Sequence, residues 1–420
     1  MMAEAARPGA AGRLAGDWLI KGGGEALRKL LGFALATIAG RALGAGGFGE
    51  YTTAFTLTNM LALVVDFGLN TVLVREVARE RRPAGPLFTT VLLLRSGLAL
   101  ALGAGLIAVA AMLRLPPRTA WTLYALTGFW IFSIGGETAA AVFAGQRQFQ
   151  REAVVLISQK LLLALAGGMI LGIGWGMIPF IAVHPLTAAA ALVIAILYAR
   201  RSGIAFTRPD RAMFRYFLAE SFPLALSMAF TLLYFKVDIL VLRWWSGAET
   251  VGYYGAAYRV MELAMALPAT INAVLFPRIA RRAATGSLRP VLKIWLPAAG
   301  LLGMATAAIL AGLARPLVIV IFGTAFQPSA RLLVLLAPAL GLIFCNFPVM
   351  YSLIAIGRQR LNATLSALCL GINLLLNLVA IPFYGAAGAA VTTVVTELVL
   401  CAAGLYFLGE FTKVRRKENS

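Results

Sequence analysis

Long apolar runs alternate along the chain with short interruptions rich in charge, proline or glycine. Twelve runs stand out, at roughly 17–42, 47–74, 87–113, 121–144, 153–175, 178–199, 213–242, 250–277, 291–313, 328–352, 361–382 and 386–411. Each reaches or exceeds the roughly 20 residues that an α-helix needs to cross the hydrocarbon core of a bilayer. None keeps the strict two-residue alternation of a membrane β-barrel strand. With no water to satisfy exposed peptide groups in lipid, the pattern predicts an all-α polytopic membrane protein of about twelve transmembrane helices.

Composition agrees. Apolar residues make up 60 % of the 420 and charged residues only 13 %, against about 25 % charged in an ordinary globular chain. That polar surface is too small to cover a compact soluble domain, which excludes a soluble enzyme, a secreted disulfide scaffold and a disordered tail. Cys345, Cys369 and Cys401 lie in apolar runs with no metal-ligand or CxxC spacing. The first sixteen residues lack a short apolar core ending in a cleavage site, so no cleaved signal peptide is expected.

The formal net charge of +20 is explained by topology rather than by nucleic acid. With the N-terminus inside, 23 of the 37 Lys and Arg residues fall in inner segments and 6 in outer ones, which places both termini in the cytoplasm. Basic inner loops suit anionic lipid headgroups as partners. The same segmentation gives a tail over 1–16, a bundle over 17–200, a linker over 201–212, a second bundle over 213–411 and a basic tail over 412–420. The loops are too short to hold a catalytic domain, so no enzyme activity is expected.

The two halves echo each other. An offset of 203 aligns Asp17–Arg79 with Glu220–Arg282 without a gap, matching Gly49 to Gly252, Tyr51 to Tyr254, Ala54 to Ala257, Arg75 to Arg278 and Arg79 to Arg282. A looser echo pairs residues 145–148 with 357–360. Six spans per half, an even number, make the repeat parallel, a frame common among transporters.

Fifteen ionisable residues remain inside spans: Lys21, Arg28, Lys29, Arg95, Lys160, Lys236, Arg259 and Lys293, with Glu25, Asp66, Glu137, Glu220, Asp238, Glu262 and Glu397. At roughly 2.5 to 3.5 kcal/mol per charge at mid-helix, they cannot all face lipid. They must pair, snorkel or line a watery interior. Helical spacing puts Thr52, Thr56, Asn59, Asp66 and Asn70 on one stripe, and Glu220, Ser227, Thr231, Tyr234 and Asp238 on another. Lys21 with Glu25, and Arg259 with Glu262, are spaced for intrahelical salt bridges. Lys160 and Lys293 lie near span ends, where they can snorkel. Arg95 has no spaced partner on its own helix. His184, alone in an apolar helix, reads as packing, and no metal site, phosphate loop or nucleophile elbow is present.

The segment Arg41-Ala-Leu-Gly-Ala-Gly-Gly-Phe-Gly-Glu-Tyr51 resembles the R-x-LG-xxx-FG-x-Y signature of polysaccharide transporters, the oligosaccharide flippases of the multidrug/oligosaccharidyl-lipid/polysaccharide exporter superfamily. Phe222-Pro223-Leu224, Lys236-Val237-Asp238, Val251–Arg259, Leu275-Phe276-Pro277-Arg278, Phe322-Gly323 and Ile356-Gly357-Arg358 resemble that family's pattern in order and spacing. The resemblance implies a MATE-like exporter fold, with two six-helix bundles around a central cavity that opens to either side in turn. It also implies transfer of a polyprenyl-pyrophosphate-linked oligosaccharide from the inner to the outer leaflet of the bacterial cytoplasmic membrane. Such a substrate serves the biosynthesis of surface polysaccharide, be it O-antigen of lipopolysaccharide, capsule or exopolysaccharide, alongside a polymerase or glycosyltransferases.

A pyrophosphate calls for cations in the cavity and a sugar for hydroxyl and amide partners. The expected substrate-binding residues are therefore Arg28, Arg95, Lys236 and Arg259 for the anionic head, with Asn59, Tyr234 and Tyr258 near the glycan. Asp66, Glu137, Glu220, Asp238 and Glu262 are the candidates for coupling to a proton or sodium ion, their alternative role being to balance the arginines. No other cofactor is expected. Two competing readings are a cation-coupled multidrug exporter of the same superfamily and a membrane glycosyltransferase. The first would want net negative charge in the cavity and often has a carboxylate deep in the first span, absent here over residues 30–40. The second needs a sizeable outer loop. Lipid II flippases of the superfamily usually have two further helices.

Overall fold

The computed structural model describes residues 10–418 except 205 and 285–287, and for 10–15, 17–19, 211, 227, 273–274, 277, 284, 289 and 411–418 it describes the backbone alone. Arg7 lies outside the described residues, as do the side chains of Arg13, Asp17, Arg211, Ser227, Arg289 and the basic run 413–417.

Every regular element among the described residues is helical. In chain order they are α1 (Ala10–Asp66), α2 (Leu69–Ala78), α3 (Ala84–Met112), α4 (Pro117–Gly145), α5 (Phe149–Gly172), α6 (Met177–Arg201), α7 (Arg211–Ala264), α8 (Ala266–Ala284), α9 (Arg289–Gly312), α10 (Ala314–Phe322), α11 (Gln327–Ala355) and α12 (Gln359–Glu418). Nine stretches among the described residues are long and apolar enough to cross a membrane. Three of these are of double length, 59, 61 and 52 residues. At 1.5 Å per residue each of these exceeds twice the thickness of a bilayer core. Each bends near its middle at a glycine whose backbone other residues avoid: Gly44 (φ 66°, ψ 178°), Gly247 (φ 81°, ψ 176°) and Gly385 (φ 54°, ψ −134°). The nine stretches therefore supply the twelve passes expected.

Gly44 and Gly247 also stand 203 residues apart and share one backbone conformation, so the repeat read from side chains is repeated in the main chain. The looser echo is corrected by hydrogen bonding. At the end of α4, Arg147 N–H donates to Ala144 O and Gln148 N–H to Phe143 O; at the end of α11, Gly357 N–H donates to Ile354 O and Arg358 N–H to Leu353 O. Both are left-handed helix stops of one type, and they align Arg147 (φ 60°) with Gly357 (φ 80°) rather than with Gln359.

Other boundaries differ from the hydropathy reading. The run 47–74 is interrupted at Phe67 and Gly68, both with positive φ, and 250–277 is interrupted between α7 and α8. Between the runs 291–313 and 328–352 lie α10 and a single 3-10 turn, Thr324–Phe326. Helix α1 begins at Ala10 rather than near 17, and α12 runs to Glu418 rather than ending near 411. Apolarity marks where a helix is in lipid, whereas these ends are set by backbone geometry.

The chain forms two compact units. One comprises residues 1–42 and 54–229, the other 43–53 and 230–420. In the first, α4 packs against α6, α3, α2 and α5; its core includes Leu69, Leu73, Val91, Val142, Phe143 and Phe217. In the second, α11 packs against α12, α9 and α8, with Ile279, Val349 and Leu353 fully buried. Large apolar side chains such as Leu100, Leu165, Leu186, Ile294 and Val320 are exposed. That inverts the soluble pattern and suits a surface bathed in lipid tails.

Candidate functional site

The first unit holds two polar cavities that share Asn59, Trp130 and Glu137 in their walls. The smaller, about 220 Å³, is organised around Arg95 of α3. The Arg95 side chain is 2 % exposed, and a guanidinium so buried requires partners. Nη2 donates to Glu137 Oε2 at 2.6 Å and lies 3.3 Å from Asp66 Oδ1, while Nη1 donates to Thr138 Oγ1 at 2.9 Å and Ile134 O at 3.3 Å. Its partners come from α1 and α4, which is why spacing within α3 revealed none. One substrate candidate and two coupling candidates thus form a single cluster.

The larger cavity, about 550 Å³, is lined by Lys21 and Arg28 of α1 and Lys160 of α5, against Glu137 and Glu152. Lys21 and Glu25, spaced for each other, do not pair. Glu25 lies 3.2 Å from Arg28, one turn on, and Lys21 reaches across to Glu152 of α5 at 3.8 Å. Lys160, read as a snorkelling residue, lies in this cavity with its ammonium over the Phe129 ring at 6.0 Å. Arg28 Nε, Glu152 Oε2 and Asn70 Oδ1 are buried with no hydrogen-bond partner. Three cations and three unspent polar atoms in one hollow can take an anionic, hydrogen-bonding guest.

Glu220 is not part of either cavity. It lies 2.7 Å from Arg75, in a network that joins α2 to α7 through Tyr216, Glu76 and Arg79. Arg82 and Asp210 pair nearby. His184 is buried edge-on between Phe129 and Phe180, as packing predicted.

In the second unit Glu262 of α7 binds two cations: Lys236 at 2.5 Å and Arg259 at 3.1 Å, the latter the expected intrahelical pair. Lys236 also lies over the Tyr258 ring at 4.6 Å. Asp238, 3 % exposed, accepts hydrogen bonds from Tyr254 OH at 2.5 Å and Ile239 N–H at 2.8 Å. Tyr234 turns elsewhere, donating to Glu397 of α12 at 2.7 Å. Asn346 of α11 donates to the other oxygen of Glu397 at 2.6 Å. Beside it Asn377 donates to Asn373 at 2.8 Å, and Asn373 to Thr396 at 3.3 Å. Asn346 Oδ1 and Asn377 Oδ1 have no hydrogen-bond partner.

The structure therefore gathers Arg28, Arg95, Asn59, Asp66 and Glu137 in one unit and Lys236, Arg259, Tyr258 and Glu262 in the other, with Tyr234 and Asp238 on the same helix. The expected site residues did not include Lys21, Lys160, Glu152 or the Glu397 cluster. The Asn373/Asn377 step of four residues in an apolar span was a usable signal for the last.

Long helices broken by glycine into twelve passes, with ionised side chains turned into internal hollows, define a multi-pass membrane protein with an all-α transporter fold. The chain belongs to the family described as polysaccharide biosynthesis protein, whose model matches residues 14–282. No curated protein matches it. Among solved structures it is similar to the lipid II flippase MurJ in an inward closed conformation, with a TM-score of 0.78 and 15 % identity over 93 % of this chain and 87 % of that one. It is also similar to an inward-facing multidrug resistance MATE family transporter of the MOP superfamily, with a TM-score of 0.76 and 13 % identity over 94 % and 96 %. A third is a MOP superfamily transporter from Pyrococcus furiosus described as having a binding pocket of reverse polarity, with a TM-score of 0.67 and 13 % identity over 96 % and 95 %. At these identities the likeness is one of fold.

Proposed function

We propose that this protein is a flippase that carries a polyprenyl-pyrophosphate-linked oligosaccharide from the inner to the outer leaflet of the cytoplasmic membrane, by alternating access, for surface polysaccharide biosynthesis. The observation that carries this reading is the 550 Å³ cavity in which Lys21, Arg28 and Lys160 meet beside the unpartnered Arg28 Nε and Asn70 Oδ1. A pyrophosphate would add negative charge beside three cations whose lining carboxylates are Glu137, already on Arg95, and Glu152, and the amides of Asn59, Asn70 and Gln159 suit the hydroxyls of a first sugar. Family membership and the likeness in fold to a lipid II flippase support the same substrate class. The excess of basic residues in alternate loops supports cytoplasmic termini. A polymerase and glycosyltransferases are the natural partners, since they consume and make the cargo.

Arg95 takes a different role in this scheme. With two carboxylates on one guanidinium, it holds Asp66 and Glu137 in place rather than offering a free charge to substrate. That cluster has one carboxylate in excess, which favours, as a second reading, cation-coupled export of the MATE type.

The test is reconstitution. Full-length protein in liposomes should expose a labelled polyprenyl-pyrophosphate oligosaccharide to a membrane-impermeant glycosidase faster than empty liposomes do, and a labelled organic cation should not move. Cation export without glycolipid transfer would establish the second reading.

A further inference from the structure

A cavity of the second unit lies outside the candidate site. In the second unit a groove of about 400 Å³ opens between the first two turns of α9 and the residues of α12 near Leu405 and Leu408. Its walls are Leu292, Leu296, Pro297, Leu405 and Leu408, and Lys293 is the one charged residue lining it among the described residues. Leu292 and Leu408 belong to the buried core and form a fixed floor, while Leu405 is 41 % exposed. Lys293 is exposed and makes no hydrogen bond or ion pair among the described residues. Helix α8, which precedes α9 in the chain, ends on the exposed Arg278, Arg281 and Arg282.

An apolar slot lined by an ammonium with no partner among the described residues asks for a ligand with two chemistries, a hydrocarbon tail and a negative head. A soluble anion would leave the leucines unfilled. A zwitterionic lipid would bring its own cation towards Lys293. We propose that this groove binds one anionic glycerophospholipid, with an acyl chain along Leu296 and Leu405 and the headgroup phosphate on Lys293. The site is separate from the cavity proposed for the transported glycolipid, and its test does not depend on transport.

Full-length protein in phosphatidylcholine nanodiscs containing a minority of phosphatidylglycerol would be released into the gas phase and its retained lipids counted by native mass spectrometry. The wild-type protein should retain phosphatidylglycerol in preference to phosphatidylcholine. Lys293→Gln should reduce that retention about fivefold, the effect of one basic residue near an anionic surface at ~1 kcal/mol. Leu296→Trp, which fills the slot and keeps the charge, should reduce it too, whereas Lys29→Gln, which removes a cation elsewhere, should not. Equal losses in Lys293→Gln and Lys29→Gln would reduce the effect to general charge and overturn the site. A second measurement needs no variant: acetic anhydride should label Lys293 more slowly in phosphatidylglycerol than in phosphatidylcholine nanodiscs. Equal labelling, or protection by inorganic phosphate alone, would also overturn it.

Discussion

A Cβ atom on Gly49 would overlap the carbonyl oxygen of Ala248 and lie 2.9 Å from the nitrogen of Gly252, while a Cβ on Gly252 would overlap the carbonyl oxygen of Ala45. Gly49 and Gly252 stand 203 residues apart, as do Ala45 and Ala248, so the contact is reciprocal. Two copies of one repeated element cross here backbone to backbone, each glycine making room for the other's neighbour. The segment 43–53 belongs to the second unit although its flanks belong to the first, and this crossing is part of what holds it there.

Gly49→Ala and Gly252→Ala should therefore each destabilise the protein, because the methyl group meets backbone that cannot rotate away. Overpacking of this kind costs about 1 to 3 kcal/mol. The midpoint of thermal unfolding in detergent should fall for both, while Gly46→Ala, whose methyl meets nothing within 4 Å, should leave it unchanged or raise it. A fall of equal size in all three would mean that helix flexibility, not the crossing, is at issue.

Two arginines that looked alike in the sequence should behave differently. Arg95 is sealed among Asp66, Glu137 and Thr138, so Arg95→Ala leaves buried carboxylates uncompensated and should cost about 3 to 5 kcal/mol, seen as loss of folded protein from the membrane. Arg28 is 31 % exposed and pairs with a half-exposed Glu25, a contact worth at most about 1 kcal/mol. Arg28→Ala should accumulate normally and lose glycolipid transfer. Full transfer by that variant would remove the cationic cavity from the mechanism.

This contrast shows how far the sequence reaches. The number of passes, the repeat and the need to bury charge all follow from hydropathy and spacing, because a bilayer enforces them on every residue alike. Partner choice does not follow. Spacing on one helix offered Lys21 to Glu25, but Glu152 on another helix proved the partner, and Arg95 found both its carboxylates across helices. Glu397 was visible as a buried charge, yet its setting among Tyr234 and Asn346 depends on how α7, α11 and α12 pack. Asn59, by contrast, was legible because it lies on a polar stripe whose helix has only one face to turn from lipid.

Arg114 closes α3 with φ 48°, its N–H donating to Ala111 O at 3.1 Å and that of Leu115 to Ala110 O at 3.1 Å. A residue with a Cβ pays about 1 to 2 kcal/mol for that conformation and glycine does not. Part of the gain is lost to the freer unfolded chain. Arg114→Gly should raise stability by up to about 1 kcal/mol, read as a higher unfolding midpoint with transport unchanged. A lower midpoint would mean that the arginine side chain has a role beyond the turn.

Asp238 and Glu397 test whether the second unit senses an ion. Both are buried, at 3 % and 1 % exposure, and neither forms an ion pair among the described residues. Asp238 is held by Tyr254 OH and a backbone N–H, Glu397 by Tyr234 OH and an asparagine amide. Neutral donors soften the cost of a buried carboxylate without cancelling its charge, so each can exchange a proton or attract a small cation as the cycle proceeds. Asp238→Asn and Glu397→Gln keep shape and remove charge. In liposomes with an imposed sodium or proton gradient, at least one of the two should move glycolipid at a rate that no longer follows the gradient, while its unfolding midpoint stays near that of the wild-type protein. If both variants follow the gradient as the unchanged protein does, these carboxylates are packing groups and the driving ion binds elsewhere, with Asp66 and Glu137 around Arg95 the next pair to substitute.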